Sequence, residues 1–178
     1  MIADNFKNIN RRIRLAAERV GRNPSDVRLV AVTKEHSVTV VAEGIRAGSG
    51  IFGENKIQDA RDKIEALGHD GIEWHFIGHL QKNKVKFIFD LFDLIHSVDS
   101  LALAEAIHAK ADELGLCMPI LLQVNVSGES SKFGVDPKSV TEVIREITSF
   151  KGLKVRGLMT IPPYDPSPEN SRPYYVCL

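Results

Sequence analysis

Lys34 is the residue whose position most clearly suggests chemistry, because it directly follows a short apolar run. The segment 28–37 reads RLVAVTKEHS, and its apolar residues predict a buried strand that ends beside the lysine. A lysine amine that has lost part of its hydration is the usual group for forming a Schiff base with a carbonyl compound. The alternative is that Lys34 opens a solvated loop, and this segment alone is compatible with both interpretations.

Polar or adaptable residues also follow the later apolar runs, so the strand ends together define a candidate site. The carboxyl ends of parallel strands lie on one side of an α/β fold, and ligands bind on that side. The strand ends carry Lys34, Asn55, His79, Asn125 and Met159, and Lys132 follows soon after the fifth strand.

The sequence contains no motif for metal binding or for hydrolysis. His75 and His79 are four residues apart, but one lies within a predicted strand and the other beyond it. His75 alternates with Trp74 and Phe76, which predicts a buried histidine with a satisfied side chain. The sequence lacks the G-x-S-x-G motif of serine hydrolases and the phosphate-binding P-loop, and no spacing of paired carboxylates stands out. We therefore expect neither a metal site nor catalytic residues of these classes.

Short apolar runs alternate with longer amphipathic segments, in six units of about 25 residues each. This alternation predicts an α/β fold with a parallel sheet and right-handed crossovers. The predicted strands are residues 27–32, 50–53, 73–78, 93–98, 118–126 and 154–161. The predicted helices are residues 3–20, 38–47, 55–67, 83–89, 100–115 and 136–150, and residues 162–173 form a turn-rich loop.

Two architectures fit this alternation, an open doubly wound sheet and a closed (β/α)8 barrel. The first strand is not followed by a glycine-rich dinucleotide fingerprint, which counts against the doubly wound sheet. A complete barrel of eight units needs more than about 200 residues. The chain has 178 residues and ends shortly after its sixth predicted strand.

The composition is that of an ordinary globular domain. The 23 basic and 23 acidic residues balance, which argues against broad binding to nucleic acid. No apolar stretch is long enough to cross a membrane, and residues 1–21 lack the apolar core of a secretory signal. Cys117 and Cys177 have no metal or redox spacing. We expect a cytoplasmic protein without a membrane partner.

The stretch WHFIGHLQKNK, residues 74–84, is the most unusual in the sequence. Lysines at the start of a helix oppose its macrodipole, so Lys82, Lys84 and Lys86 carry a small local cost. They form either a solvated face or an interaction surface, and the sequence leaves that choice open. Binding of nucleic acid at this stretch is the less favoured interpretation, given the neutral composition.

Five segments in order resemble signature blocks of the YggS/PROSC family of pyridoxal phosphate homeostasis proteins. They read VAVTKEHS, FGENKIQDA, WHFIGHLQKNK, NVSGESSKFGV and VRGLMTIPP, and the resemblance covers residues 27–173. It implies a (β/α)8 barrel of the alanine racemase N-terminal type that binds pyridoxal 5′-phosphate (PLP) as an internal aldimine on Lys34. It also implies that Asn55 and Met159 lie near the cofactor ring. His79 and Asn125 are added by strand-end geometry, and Lys132 matches a second family lysine that receives or relays PLP, or else is a solvated loop lysine.

The resemblance implies a carrier of PLP in vitamin B6 and amino-acid homeostasis, monomeric in the family and without catalytic turnover. Its partners would be PLP and PLP-dependent apoenzymes. The alternative is a Schiff-base enzyme such as an amino-acid racemase. A racemase needs a second acid/base opposite the lysine, typically a tyrosine, and Tyr164, Tyr174 and Tyr175 all fall in or after the last loop.

The chain departs from the family pattern near its C-terminus, at about Tyr175. We expect one PLP-binding domain over residues 1–178, with barrel units over 27–173 and about six of the eight strands. Without the last two strands, the phosphate-binding loops that follow them would be missing, which predicts impaired PLP binding. The first and sixth strands would then be exposed apolar edges that promote association.

Overall fold

The computed structural model of the chain describes residues 1–129 and 131–178. In this part, strands and helices alternate along the chain, as the sequence predicts. The chain consists of two compact units, Met1–His75 and Phe76–Leu178, called the first and second unit. The strands are β1 (Ala31–Val32), β2 (Ile51–Glu54), β3 (Glu73–Phe76), β4 (Leu94–Val98), β5 (Met118–Gln123) and β6 (Leu153–Met159). The helices are α1 (Ile2–Arg19), α2 (Val38–Arg46), α3 (Ile57–Leu67), α4 (Leu101–Leu114), α5 (Val140–Ile147) and α6 (Arg172–Cys177).

Aromatic packing forms the core of the first unit. Strands β1 and β2 pair in parallel, and Ala31 lies opposite Phe52 in the register. Phe52 and Trp74 are fully buried, with their ring centroids 5.5 Å apart. The Trp74 indole nitrogen donates a hydrogen bond of 3.0 Å to the carbonyl of Gly68, the residue that ends α3. Burial of the two rings removes a large apolar area from water, which stabilises this unit. The hydrogen bond to Gly68 satisfies the indole N–H, the polar group of the rings that is buried with them.

Aliphatic residues of a parallel ladder form the core of the second unit. Strands β4 and β5 pair in parallel, with Ile95 opposite Ile120, and β5 pairs in parallel with β6. Ile95, Ile120 and Leu122 are fully buried. Helix α4 begins at Ser100, whose hydroxyl accepts a hydrogen bond from the backbone nitrogen of Leu103, as the sequence predicts for a serine cap.

The first strand and the last loop differ most from the sequence-based prediction. The sequence predicts β1 over residues 27–32, but the strand covers only Ala31 and Val32, which lie opposite Phe52 and Gly53 of β2. Arg28, within the predicted strand, pairs with Glu73 through its side chain. The predicted loop 162–173 ends in a 3-10 turn, Pro168–Ser171, and then α6. Proline is favoured in the first turn of a helix, because its fixed φ suits that turn and its missing N–H is not needed there.

The connection between β3 and β4 is helical, as predicted, but it is a 3-10 helix over Lys82–Phe87. A further 3-10 turn, Pro137–Ser139, leads into α5, and the Asp136 carboxylate caps it by accepting from the backbone nitrogen of Lys138. Among the described residues, no helix is both long and apolar enough to cross a bilayer.

Candidate functional site

Lys34 lies in a tight turn directly beyond the first strand. Thr33, the preceding residue, continues the ladder by donating its backbone N–H to the carbonyl of Gly53 at 3.0 Å, and the His36 N–H closes the turn on the Thr33 carbonyl at 3.1 Å. Glu35 adopts a left-handed conformation with φ of 66°, which costs energy for a residue other than glycine. The Lys34 side chain is exposed, and its amine has no hydrogen bond or ion pair to any described residue. No described residue therefore binds the amine or covers it.

Two buried charged side chains bind Thr33, the buried residue that precedes Lys34. The Lys63 ammonium donates to the Thr33 carbonyl at 2.7 Å and to Glu54 Oε1 at 2.6 Å. The Thr33 hydroxyl also donates to Glu54 Oε1, at 2.6 Å. Thr33, Glu54 and Lys63 have exposed fractions of 6%, 0% and 5%. We call these residues the Thr33 cluster, and it ties the end of β1 to the end of β2 and to α3.

Asn55 follows the last residue of β2, as predicted, and it presents an unsatisfied acceptor. Its Oδ1 is buried and has no hydrogen-bond partner among the described residues, and the same is true of Glu54 Oε2. Buried polar atoms without a partner are uncommon in folded proteins and indicate a site that a ligand or water completes. The two unsatisfied oxygens are on consecutive residues at the end of β2.

In the second unit, Asn125 organises the loop that follows β5. Its Nδ2 donates to the carbonyls of Glu129 and Lys132, at 2.9 and 3.3 Å. Its Oδ1 accepts from the Ser127 hydroxyl and from the Gly128 nitrogen, at 3.1 and 3.2 Å. We call residues 125–129 and 131–134 the Asn125 loop. An amide side chain has two donors and two acceptor positions, and here all four serve the loop.

Lys132 is half-buried within the Asn125 loop and forms an ion pair. Its ammonium lies 2.8 Å from Glu129 Oε1 and 3.5 Å from the carbonyl of Ile161. Hydrogen bonds from Lys132 and then from Ser127 hold the pKa of Glu129 below its ordinary value. Lys132 also lines a cavity of about 170 Å³ together with Gln123, Asn125, Phe133 and Ile161.

His79 lies beyond β3 and contacts the same loop. Its Nδ1 is 3.2 Å from Asp99 Oδ2, and its ring stacks on Phe133 with centroids 3.8 Å apart and planes at 12°. Phe133 is half exposed and was not expected at the site. Met159 is the last residue of β6, opposite Gln123, and its carbonyl accepts from the Val124 nitrogen at 2.8 Å.

The other residues that the sequence analysis considered for function lie in the core or at the surface. His75 is 3% exposed and lies 3.4 Å from Glu73, which agrees with the predicted buried histidine. Lys84 and Lys86 are exposed, with their ammonium groups 5.9 and 4.9 Å from the centroid of Phe87. Tyr164 is 95% exposed. Within the described ranges, no three His, Cys, Asp or Glu side chains are grouped as metal ligands.

Sequence reasoning missed the Thr33 cluster, although one signal was present. Ala60, Lys63, Ile64 and Leu67 recur at the spacing of one helix face, so Lys63 is a charge on an otherwise apolar face. Such a lysine must find a buried partner, because an unpaired buried charge is very costly. The partner, Glu54, is nine residues away on another element, and helical spacing alone cannot identify it.

Comparison with known proteins defines the class of fold. The model of the alanine racemase N-terminal domain family matches residues 5–175. The fold is therefore the TIM-type barrel of that family, with six strands among the described residues, and the doubly wound alternative is excluded. Alanine racemase from Clostridium difficile shares this fold at a TM-score of 0.72, with 15% identity over 94% of this chain and 44% of the racemase.

Relatives of higher sequence identity define the family within this fold class. The pyridoxal phosphate homeostasis protein of Aquifex aeolicus is 41% identical over 92% of this chain and 72% of its own length. That of Escherichia coli strain K12 is 38% identical over 90% and 70%. This chain belongs to the family of pyridoxal phosphate homeostasis proteins, as its five sequence blocks predict.

Solved structures agree with this assignment. A protein described as unknown from Bifidobacterium adolescentis has a TM-score of 0.93 and 34% identity, over 99% of this chain and 76% of that one. PipY of Synechococcus elongatus, in a structure with PLP bound, has a TM-score of 0.79 and 34% identity, over 98% and 77%.

Proposed function

We propose that this chain binds PLP covalently through Lys34 and holds it for exchange, as a homeostasis protein and not as a catalyst. The observation that carries the proposal is the exposed, unpaired amine of Lys34 directly beyond a strand end that is itself buried and fully hydrogen-bonded. The amine nitrogen would add to the aldehyde carbon of PLP and one water would leave. Release reverses this step with one water, so holding and exchange need no further reactant.

The residues around Lys34 fit this cofactor. Asn55 Oδ1 is an unsatisfied acceptor at the end of the neighbouring strand, and the ring nitrogen of PLP, when protonated, is a donor that it would bind. We propose that Asn55 and Met159 contact the cofactor ring and that His79 and Asn125 complete the site. PLP, when bound, supplies an electrophilic aldehyde. The protein's part is to hold the reacting amine in place at the end of the strand.

Homology supports the same function. The relatives from Aquifex aeolicus and Escherichia coli are named pyridoxal phosphate homeostasis proteins, and the PipY structure contains PLP. The racemases share the fold at about 15% identity, which supports no transfer of their activity. We therefore favour storage and transfer of PLP over racemisation.

Several finer points belong to the proposal. Residues 1–178 act as one PLP-binding domain in the cytoplasm, and PLP-dependent apoenzymes accept the cofactor. Lys132 serves as a second lysine through which PLP arrives or leaves. The chain is expected to be a monomer that associates only through exposed strand edges, which size-exclusion chromatography with light scattering measures.

The decisive experiment is trapping of PLP by borohydride, followed by peptide mass analysis. Incubation with PLP should give a visible absorption band, and reduction should fix one pyridoxyl group on Lys34. The Lys34→Ala variant should lose both the band and the adduct, because the reacting amine is gone. Lys151→Ala, which removes an exposed lysine elsewhere, should behave as wild type. An adduct spread over many lysines, or an unchanged band in Lys34→Ala, contradicts the proposal.

A further inference from the structure

We propose that Glu54 and Lys63 are positioning residues for Lys34, and this inference rests on the proposed function. Neither residue touches the Lys34 side chain. They act through Thr33, whose carbonyl and hydroxyl they bind from one side while the β ladder binds its nitrogen from the other. The buried pair of Glu54 and Lys63 therefore holds the backbone of Thr33 in place, and with it the start of Lys34.

The bonding of Thr33 supports this role. Its carbonyl accepts from both the Lys63 ammonium and the His36 nitrogen, at 2.7 and 3.1 Å. Its own nitrogen and hydroxyl donate to the Gly53 carbonyl and to Glu54 Oε1. Every polar group of the residue before Lys34 is thus engaged. Strand β1 contributes only two residues to the ladder, so side chains supply the restraint that a longer strand would provide.

An ion pair that served stability alone would not need the additional bond from Lys63 to the Thr33 carbonyl. Replacing a buried pair with uncharged residues of similar size is often neutral for stability, whereas a buried charge without its partner is costly. Lys63 uses a short bond on the main chain of Thr33 as well as on Glu54. The second oxygen of Glu54 is left without a partner. The pair therefore holds the main chain of Thr33, although one oxygen of the Glu54 carboxylate stays without a hydrogen bond.

The double variant Glu54→Gln with Lys63→Met separates positioning from stability. It removes both charges together and should fold with a melting temperature near that of wild type. The Thr33 carbonyl loses its ammonium donor, so the turn should loosen. The first readout uses protein without PLP: hydrogen exchange of the peptide 33–37 should quicken by roughly tenfold or more. The second is the rate of borohydride trapping on Lys34, which should fall by roughly ten- to a hundredfold because the amine is misplaced.

Matched variants control both measurements. Glu54→Gln alone keeps the Lys63 bond to the Thr33 carbonyl and removes only the carboxylate, so it should change exchange and trapping less than the double variant does. Lys110→Met removes a lysine from the Glu113 ion pair in the second unit, and it should change neither readout. If the double variant does not fold, Thr33→Val removes the hydroxyl half of the contact and should give a smaller change in the same direction.

Each outcome decides a different point. Wild-type exchange and wild-type trapping in a folded double variant, or in Thr33→Val where that variant is used, overturn the positioning role. If wild-type protein gives no adduct on Lys34, the proposed function fails, and hydrogen exchange alone then decides whether the pair holds the strand end. Faster exchange together with slower trapping supports both proposals.

Discussion

The Thr33 cluster and the Asn125 loop are both strand-end structures next to a lysine, and they are held in opposite ways. The Thr33 cluster is buried, and a charged side chain there binds the main chain of the residue before Lys34. The Asn125 loop lies at the surface and is held by a neutral amide and by an ion pair in which Glu129 is 45% exposed. In the Thr33 cluster, the Lys63 amine is held by two hydrogen bonds and the nearby Lys34 amine is unpaired. In the Asn125 loop, the Lys132 amine itself forms the ion pair.

This difference fits the different tasks that we propose for the two lysines. An amine that must form a covalent bond benefits from a rigid base and an unpaired end, since a fixed origin limits the conformations that must be lost on reaction. An amine in a solvent-accessible ion pair exchanges partners at low energetic cost. The first arrangement suits long-term holding of a ligand, and the second suits transient contact with an anion.

The largest expected effect is on stability in the Thr33 cluster. Lys63→Met leaves the Glu54 carboxylate buried without its ammonium, and we expect a loss of about 3–5 kcal/mol in the free energy of unfolding. Lys132→Met removes a half-buried lysine from a partly exposed pair and should cost only about 0–1 kcal/mol. Urea denaturation of both variants measures the contrast. Equal losses would show that burial does not distinguish the two pairs.

A smaller effect is expected in the Asn125 loop from Gly134→Ala. Gly134 has φ of +134°, and an added Cβ would lie 2.6 Å from the Asn125 nitrogen and 2.8 Å from the Val124 carbonyl carbon. Because both atoms belong to the backbone, the loop must shift, and we expect a loss of about 1–3 kcal/mol. Gly128→Ala, with φ of +70° and open space around the added Cβ, is the control. Its cost should be about 1–2 kcal/mol, from backbone strain alone. A Gly134→Ala variant as stable as this control would contradict the close contact.

The smallest effect concerns the pH response of Glu129 in the same loop. Lys132 lowers the pKa of this carboxylate, so the pair stabilises the loop above the ordinary pKa of a glutamate, and that contribution is lost as the pH falls through the lowered value. Lys132→Met should return the Glu129 pKa toward its ordinary value, as NMR titration of the side-chain carboxyl would show. An unchanged pKa in that variant would mean that Ser127, and not Lys132, sets it.

Much of the fold could be predicted from sequence because local patterns determine it. The alternation of apolar runs with amphipathic segments predicted the order of the elements, and Ser100 and Asp136 were recognised as helix caps from residue type and position alone. The length of β1 could not be predicted, because pairing with β2 and not apolar character decides where the ladder begins.

The candidate site was only partly predictable. Strand-end position and family resemblance predict Lys34 and Asn55 as site residues, and the structure places them just beyond β1 and β2; their contact with a cofactor stays a prediction. The Thr33 cluster depends on side chains 21, 30 and 9 residues apart in sequence, and no short pattern records such contacts. The contact of Asn125 with a ligand stays a prediction. Its four hydrogen bonds within the loop depend on the path of the loop backbone, which the sequence does not reveal.

The buried indole of Trp74 gives the first unit an optical signal of its own. It is the single tryptophan of the chain, and it packs on Phe52, which lies two residues before Glu54 at the end of β2. Its fluorescence spectrum therefore reports hydration of this core, without a contribution from any other indole. Circular dichroism, by contrast, averages over the helices of both units. Recording the two signals in the same denaturation experiment tells whether the region that carries Lys34 loses its packing before, with or after the rest of the protein.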